Sequence, residues 1–432
     1  MRSLLLLGIM VILVPMAFFA PFTGILSFLW IAYTRPQEWA YASSAQYSLA
    51  IALATIVGYC LFELPQRPPR LKENLLILLL MLQYTFAGWL LAYSPNYAQL
   101  KYTEMMKIML ITLLIASMTD SESRVRWVLF VSLGSIGVLS LRSFIGIIIS
   151  GGKRVYGPGG LYEDNNDYAI LLNLALPMML YFGQKESRLW LRYLFYFFSF
   201  TSLITILFTY SRGGFIGLCL ALIFMAVKSR YKISGLIGVA VLGAIFFIYA
   251  PKEVLNRVST IQNATTEDSS AQQRLRAWAV CLKIAADKPF TGVGVRNILL
   301  VYGKYGDPLD TRVAHNSYLQ IVVDCGIPGL ILFLFLLVVT YRRLGKCRKI
   351  LTTYAPRSKI ISYAHGMQVG MMGYVSSAFF ASKEDIELIY TVFALAVSCI
   401  IIAREAQKQA QIDDLVAATN YSLPPQPLVA AH

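Results

Sequence analysis

The chain consists of long apolar runs separated by short polar segments. Most of these runs approach the roughly 20 residues that an α-helix needs to cross a bilayer. The first run, 4–33, is too long for one span, and Pro15 and Pro21 interrupt it, so we expect one kinked crossing or a short re-entrant pair. Further runs lie at about 46–62, 74–93, 105–118, 127–150, 168–182, 193–209, 213–227, 233–250, 327–341, 360–380 and 386–403. The pattern predicts an all-α polytopic integral membrane protein with about 12 transmembrane helices.

The polar segments divide the chain into four predicted regions. They are transmembrane helices over 1–250 (about nine crossings), a loop domain with amphipathic helices over 251–326, transmembrane helices over 327–403 (about three crossings), and a polar tail over 404–432. Within the loop domain, 269–287 is predicted to be an amphipathic helix, which Ser269 and Ser270 can cap and after which Pro289 follows. A second helix is expected at 312–325, ended by Gly326. The tail is expected to be disordered.

Composition excludes a soluble domain, a disordered chain and a coiled coil. Hydrophobic residues make up 57% and charged residues 14%, against about 25% charged in ordinary globular domains. The net charge of +15 comes from basic residues that cluster in alternate connections between the runs. These are Arg67, Arg70, Lys72, Arg124, Arg126, Lys185, Arg188, Arg192, Lys228, Arg230, Lys232, Arg342, Arg343, Lys346, Arg348 and Lys349. The positive-inside rule places these connections and both termini in the cytoplasm, and the loop domain outside.

Metal and cofactor chemistry finds little support in the sequence. The six cysteines are scattered without a CxxC pair, and the chain has three histidines. We therefore expect neither a metal nor a cofactor. Glu163, Asp164 and Asp167 form an acidic cluster with two candidate roles, a divalent-cation site or a helix cap, of which the cap is favoured.

Ionisable side chains at the edges of apolar helices are candidate functional residues because they are costly there. Arg212, in the sequence Tyr210-Ser211-Arg212-Gly213-Gly214, lies where one span ends and the next begins on the outer side, so retention by the positive-inside rule does not explain it. Its guanidinium suits a phosphate or carboxylate. The alternative is an interfacial arginine that contacts lipid phosphates.

Two further candidates lie in the loop domain. Arg274 and Trp278 are four residues apart and share one helix face, whereas Arg276 points away from Arg274. His315, followed by Asn316, has an imidazole that titrates near neutrality and can accept or orient a hydroxyl proton. Arg312 is a further candidate for the same site. A surface amphipathic helix and a structural histidine are the alternatives.

Four motifs, taken in order, resemble one known family. They are S-R-G-G (211–214), R-x-x-x-W (274–278), K-P-F-T-G-V-G (288–294), and H-N-S-Y-L-Q with G-I-P-G (315–320 and 326–329). Together they resemble the O-antigen ligase and O-antigen polymerase superfamily of bacterial envelope glycosyltransferases, over about 156–330. The N-terminal start resembles the O-glycosylation-ligase branch of that superfamily, and the C-terminal third fits by hydropathy alone.

The resemblance implies a metal-independent enzyme of the bacterial inner membrane that acts on the periplasmic face. Such enzymes transfer a glycan from undecaprenyl diphosphate to a hydroxyl, which belongs to lipid A–core in ligases, to a lipid-linked repeat unit in polymerases, or to a protein. It further implies catalytic roles for His315, Arg212 and Arg274. Donor glycan, lipid A–core and membrane lipids are the expected partners, with no nucleic acid. Residues expected to contact substrate are Arg276, Asn316, Trp278, Tyr210 and Arg312.

The expected function is therefore that of an inverting O-antigen ligase. The alternatives are an O-antigen polymerase, a protein O-oligosaccharyltransferase with the same donor, and a lipid-linked oligosaccharide transporter. The first two share the ligase motifs, so the sequence does not separate them. A transporter would more often show an internal repeat and charged residues near the midplane of the membrane.

Overall fold

A computed structural model of the chain describes residues 2–36, 47–157, 164–228, 233, 240 and 269–421. These residues form α-helices joined by turns, with no β-strand among them. The helices before the loop domain are α1 (Arg2–Phe19), α2 (Pro21–Thr34), α3 (Tyr47–Gly58, extended by a π-helical turn Tyr59–Glu63), α4 (Leu75–Gln83, extended by Tyr84–Leu90), α5 (Pro95–Met118), α6 (Glu122–Ile149), α7 (Asn165–Gln184), α8 (Leu189–Phe208) and α9 (Arg212–Lys228). Those that follow are α10 (Ser269–Asp287), α11 (Ile298–Tyr305), a 3₁₀ turn (Pro308–Asp310), α12 (Ser317–Tyr354), α13 (Ile360–Ser377) and α14 (Glu387–Tyr421).

Five of the described helices, α1, α6, α8, α12 and α14, are long and apolar enough to cross a membrane. The chain is thus a helical membrane protein, while the count of about 12 crossings stays a prediction. α14 is the most central of the five, since 83% of its apolar window is buried, against 17% for α1. It packs on α5 and α12, and α7 packs on α8 and α13. The predicted span at 233–250 and the first part of the loop domain lie outside the described residues, apart from Ile233 and Ala240.

The first apolar run is divided into two helices at one of the two expected places, whereas Pro15 lies inside α1 without ending it. The break falls at Ala20, and Pro21 begins α2. A proline has no N–H to donate and is well suited to the first position of a helix, so it ends one helix and starts the next. α1 and α2 pack against each other, and α3 packs on both.

The loop domain contains its own small apolar core. Val280 and Ile284 of α10 pack with Val301 and Tyr302 of α11 and with Val323 of α12. The predicted helix 269–287 is confirmed. The second predicted helix begins at Ser317, five residues later than expected, because residues 311–316 are not helical and the side chain of Asn316 caps the helix.

Gly326 interrupts α12, as expected, and the break is a docking point. Its φ of 72° lies in the left-handed region, and its ψ is 179°. The segment that follows α10 lies against this break: Val293 N donates to Val323 O at 2.8 Å, and Ile327 N donates to Pro289 O at 2.7 Å. A side chain at Gly326 would clash with the backbone of Phe290. The glycine thus joins the loop helices to the membrane-spanning bundle.

The polar tail is helical over much of its length, so the expectation of disorder is wrong for 404–421. α14 continues without a break to Tyr421. Alanine, glutamine, glutamate and lysine, which have high helix propensity, are frequent in 403–411, so the helix extends beyond its apolar part. The proline-containing residues 422–432 lie outside the described residues.

One end of the bundle is held by arginines from the connections that the sequence assigned to the cytoplasm. We call this the basic end; α5 and α7 end there, and α6 and α8 begin there. Arg126 makes a two-pronged pair with the buried Glu186, both contacts at 2.7 Å. Arg67 donates to Asp120 at 2.6 Å. Paired in this way, the charges are stabilised at the edge of an apolar bundle.

We predict that Gly326→Ala lowers the free energy of unfolding by about 1–3 kcal/mol, because alanine in a left-handed conformation is strained and its side chain clashes with Phe290. The matched control is Gly134→Ala in α6, where a side chain meets nothing within 4 Å. Apparent melting temperatures in detergent provide the measurement. Equal melting temperatures for the two variants would contradict the docking role of Gly326.

Candidate functional site

The candidate residues gather at the end of the bundle opposite the basic end. We call this the site end; α7, α9, α12 and α14 begin there, and α13 ends there. Ser317, the first residue of α12, donates its backbone N–H to Ala378 O at 2.9 Å. Ser211, which precedes α9, donates from its hydroxyl to Asn166 Oδ1 of α7 at 2.7 Å. These contacts connect the two candidate turns to neighbouring helix ends.

His315 lies in a strained turn directly before α12. Its φ is 46°, a left-handed conformation that is uncommon for residues other than glycine. The following residue, Asn316, is 4% exposed, and its side chain accepts from the backbone N–H groups of Tyr318 and Leu319. Asn316 is thus the cap of α12, and the imidazole of His315 beside it is partly buried.

The loop between α13 and α14 holds this turn in place. Asn316 N donates to Ser382 Oγ at 3.3 Å, and Ser317 Oγ donates to Ala381 O at 2.7 Å. Lys383 N donates in return to Ser317 Oγ at 2.9 Å. A strained conformation persists when its surroundings over-determine it, and these bonds supply that constraint.

Trp278 brings the loop helix α10 to the histidine turn. Its indole Nε1 donates to Ala314 O, the residue before His315, at 2.9 Å. Arg274 lies one helical turn away on the same face of α10. The R-x-x-x-W motif thus anchors its helix through the tryptophan and places the arginine near the imidazole.

The surroundings favour the neutral form of His315. Burial lowers the pKa of His315 below its ordinary value of 6.5, and the charges of Arg274 and Arg312 lower it further. The charge of Asp164 raises the pKa of His315, but burial and the two arginine charges together have the larger effect. A neutral imidazole has a free nitrogen, so at neutral pH this group is able to accept a proton.

Arg212 is the first residue of α9, at the site end. Its helix begins so close to its neighbours that a side chain at Gly213 would clash with Phe380. Tyr210, two residues earlier, has a φ of 55° and donates its hydroxyl to Gly152 O at 3.1 Å. The S-R-G-G motif thus forms a tight, closely packed turn, as the sequence predicted.

Arg276 and Arg312 share the carboxylate of Asp310. Arg312 Nε lies 2.5 Å and Arg276 Nη1 4.0 Å from its oxygens. Arg312 also donates to Gln273 Oε1 of α10 at 2.7 Å. The side chain of Arg276 is 68% exposed. These arginines fasten the 3₁₀ turn to α10, and Arg312 in addition acts electrostatically on His315.

The acidic cluster begins α7. Asp164 caps the helix, accepting from the backbone N–H of Asn166 at 2.7 Å and of Asp167 at 3.4 Å. In the part of the chain that the structure describes, no group of three or more acidic, histidine or cysteine side chains is placed to hold a metal ion. Glu163 lies outside the described residues.

Sequence analysis missed an ionic network at the site end. Lys101 of α5 pairs with Asp385, and Lys383 lies 3.6 Å from Asp167 and 3.7 Å from Asp385. Burial alone would raise the pKa of Asp385, but the two lysine charges hold it below its ordinary value. The signal in the sequence was the charged triplet 383–385 directly before the last apolar run.

Backbone strain is concentrated at this end. Among the described residues, the non-glycine residues with positive φ are Arg35, Tyr210, Arg296 and His315. Tyr210 and His315 belong to the candidate turns. Arg35 and Arg296 line a polar cavity at the site end, to which Lys101 of α5 also contributes. Strained residues cluster at functional sites, so their placement supports a functional role for the site end.

The fold and these turns define a helical membrane protein with a cation-flanked histidine at one end. Residues 197–334 match the family described as O-antigen ligase, and this match supports the resemblance to the O-antigen ligase superfamily. Residues 1–172 match a family of unknown function (DUF5935). A comparison with curated proteins gave no match. The first match contains Arg212, Arg274 and His315, whereas the loop between α13 and α14 falls outside both.

We predict that Asp385→Asn destabilises the protein by about 3 kcal/mol, because it leaves Lys101 in a buried position without its main counter-charge. Asp413→Asn, at an exposed position in α14, is the matched control and is expected to be neutral. Thermal unfolding in detergent measures both. Equal melting temperatures for Asp385→Asn and Asp413→Asn would show that the ionic network does not stabilise the fold.

Proposed function

We propose that the protein is an O-antigen ligase that transfers a glycan from undecaprenyl diphosphate to a hydroxyl of lipid A–core oligosaccharide. The observation that carries this proposal is the placement of Arg274 near His315, fixed by the hydrogen bond from Trp278 to Ala314 O, within a segment that matches the O-antigen ligase family. The reaction is metal-independent and inverts the anomeric centre.

Arg212 and Arg274 bind the diphosphate of the donor. A lipid diphosphate departs readily once its developing negative charge is neutralised, and guanidinium groups do this through charge-assisted, two-pronged hydrogen bonds. Both arginines lie at the site end, each at a helix position that the surrounding contacts fix. The polyprenyl chain of the donor lies along the apolar helices below.

His315 accepts the proton of the acceptor hydroxyl. The hydroxyl oxygen attacks the anomeric carbon from the side opposite the diphosphate, the bond to the leaving oxygen breaks, and the proton passes to the imidazole. Attack from the opposite side gives inversion. The lowered pKa of His315 supports this role, because the imidazole is neutral before the reaction.

The site end faces the periplasm of a bacterial inner membrane, and the basic end faces the cytoplasm. This orientation is supported by the positive-inside rule, since the arginines of the cytoplasmically assigned connections make their ion pairs at the basic end. The C-terminus is cytoplasmic in this arrangement, and the loop domain that carries Arg274 is periplasmic.

The test combines purified protein in detergent with undecaprenyl-diphosphate glycan and lipid A–core in the presence of EDTA. Ligated lipopolysaccharide supports the proposal. Longer lipid-linked chains would point to a polymerase instead, and a glycosylated protein to an O-oligosaccharyltransferase. Movement of the donor across a vesicle membrane without any product would indicate a transporter.

We predict that Arg212→Lys and Arg274→Lys each lower kcat/KM for the donor by about 10- to 100-fold, because lysine keeps the charge but loses the two-pronged geometry. Lys283→Gln on the exposed face of α10 is the control for a change of charge nearby. Transfer kinetics at varied donor concentration provide the measurement. Full activity of both arginine variants would exclude them from diphosphate binding.

We predict that transfer by the wild-type protein falls as the pH falls through a pKa below 6.5, because protonation of His315 removes the acceptor nitrogen. His315→Gln is expected to lower kcat by about 10²- to 10⁴-fold and to abolish this acid limb. A pH–rate profile provides the measurement, and the melting temperature of the variant checks its folding. An unchanged acid limb in the variant would assign the proton transfer to another group.

A further inference from the structure

A polar cavity of about 690 Å³ opens at the site end. Its volume falls within the range of pockets that bind small organic molecules. Carboxylates and cations face it together, from α5, α7, α12, the segment after α10, and the loop between α13 and α14. The charged side chains that line it include Lys101, Asp167, Arg296, Asp324, Lys383 and Glu384.

The charges that line this cavity largely compensate one another. Lys101 pairs with Asp385 and lies 3.7 Å from Glu104, and Lys383 lies 3.6 Å from Asp167. Asp324 accepts from Gln320 Nε2 at 2.8 Å and from the backbone N–H of Arg296 at 3.2 Å. A cavity with paired charges of both signs offers donors and acceptors in alternation, which suits a neutral ligand with many hydroxyl groups better than an anion.

Glu384 is the exception among these groups. It is 5% exposed and faces the cavity, yet its Oε2 atom has no hydrogen-bond partner among the described residues. A buried carboxylate oxygen without a donor is costly, and such groups in native proteins call for an explanation. A ligand hydroxyl in the cavity supplies the missing donor.

The cavity lies beside His315. Val313, two residues before the histidine, forms part of its wall, and so does Ser382, whose Oγ accepts from the backbone N–H of Asn316 at 3.3 Å. Asp164, which acts electrostatically on His315, is a third wall residue. A ligand that fills the cavity thus has an edge next to residues that adjoin the His315 turn.

We propose that this cavity binds a neutral sugar of the acceptor, and that Glu384 accepts a hydrogen bond from one of its hydroxyl groups. That the sugar belongs to the acceptor rests on the proposed function, because the arginines bind the donor and the histidine receives the acceptor proton. Glu384 is a binding residue in this arrangement, and the Lys101–Asp385 and Lys383–Asp167 pairs form the fixed frame around it.

The experiment measures sugar binding without catalysis. Two fluorescently labelled neutral probes are used: core oligosaccharide released from lipid A and freed of phosphate, and the repeat-unit oligosaccharide released from the donor. Fluorescence anisotropy follows their binding to the full-length protein in detergent. Wild type is expected to bind the core probe, and Glu384→Gln to bind it at least tenfold more weakly. Binding of the repeat-unit probe alone would overturn the assignment to the acceptor. Glu405→Gln, an exposed residue on the far part of α14, is expected to bind like wild type.

Thermal unfolding separates a binding role from a structural one. Because Oε2 of Glu384 has no partner, the amide of Glu384→Gln is expected to leave the melting temperature unchanged or raise it. A lower melting temperature would show that Glu384 stabilises the fold, and would overturn the inference. Equal binding of a probe to wild type and Glu384→Gln, or no binding of either probe to wild type, would overturn it as well.

Failure of sugar binding at the cavity and failure of the ligase activity give different results. Sugar binding that requires Glu384, in a protein that forms no transfer product, would leave the cavity assignment standing and remove the ligase activity. If Glu384→Gln transfers glycan with the same acceptor KM as wild type, the ligase activity stands and the assignment of the cavity to the acceptor is wrong. An increase in acceptor KM with an unchanged donor KM is expected if both proposals are right.

Discussion

The position of the candidate catalytic histidine depends on charge pairing at the site end. Lys101 in α5, Asp167 in α7 and Lys383 and Asp385 in the loop between α13 and α14 compensate one another in a poorly solvated place. Charges that are withdrawn from water must be paired, so these groups fix the loop relative to two helices. The loop then holds the turn of His315 through its own hydrogen bonds. Electrostatics in one part of the protein thereby determines geometry in another.

A second constraint comes from the loop domain, which reaches the same turn from the opposite direction. Its small core rests on α12, and the break at Gly326 lets the segment after α10 dock there. Trp278 then joins α10 to the residue before His315. The left-handed conformation of the histidine is thus maintained from two sides, which explains how a strained residue persists in the fold.

Local features of the site were predictable from the sequence, and long-range ones were not. The extent of α10, the break at Gly326 and the tight turn before Arg212 follow from proline and glycine positions and from helical periodicity, which act within a few residues. The pairing of Lys101 with Asp385 joins positions 284 residues apart, so no local pattern reveals it. The side chain of Asn316 caps α12, which the sequence did not indicate, and its contact with substrate stays a prediction.

The hydrogen bonds from the loop between α13 and α14 to the histidine turn bear on how this protein can change during evolution. The loop lies outside both matched families, yet it contacts a residue next to His315. Lys101, on which the loop depends, belongs to the region of unknown function. Genetic exchange of residues 197–334 alone would separate the histidine from its supports. The geometry of the histidine turn therefore depends on residues of all three segments.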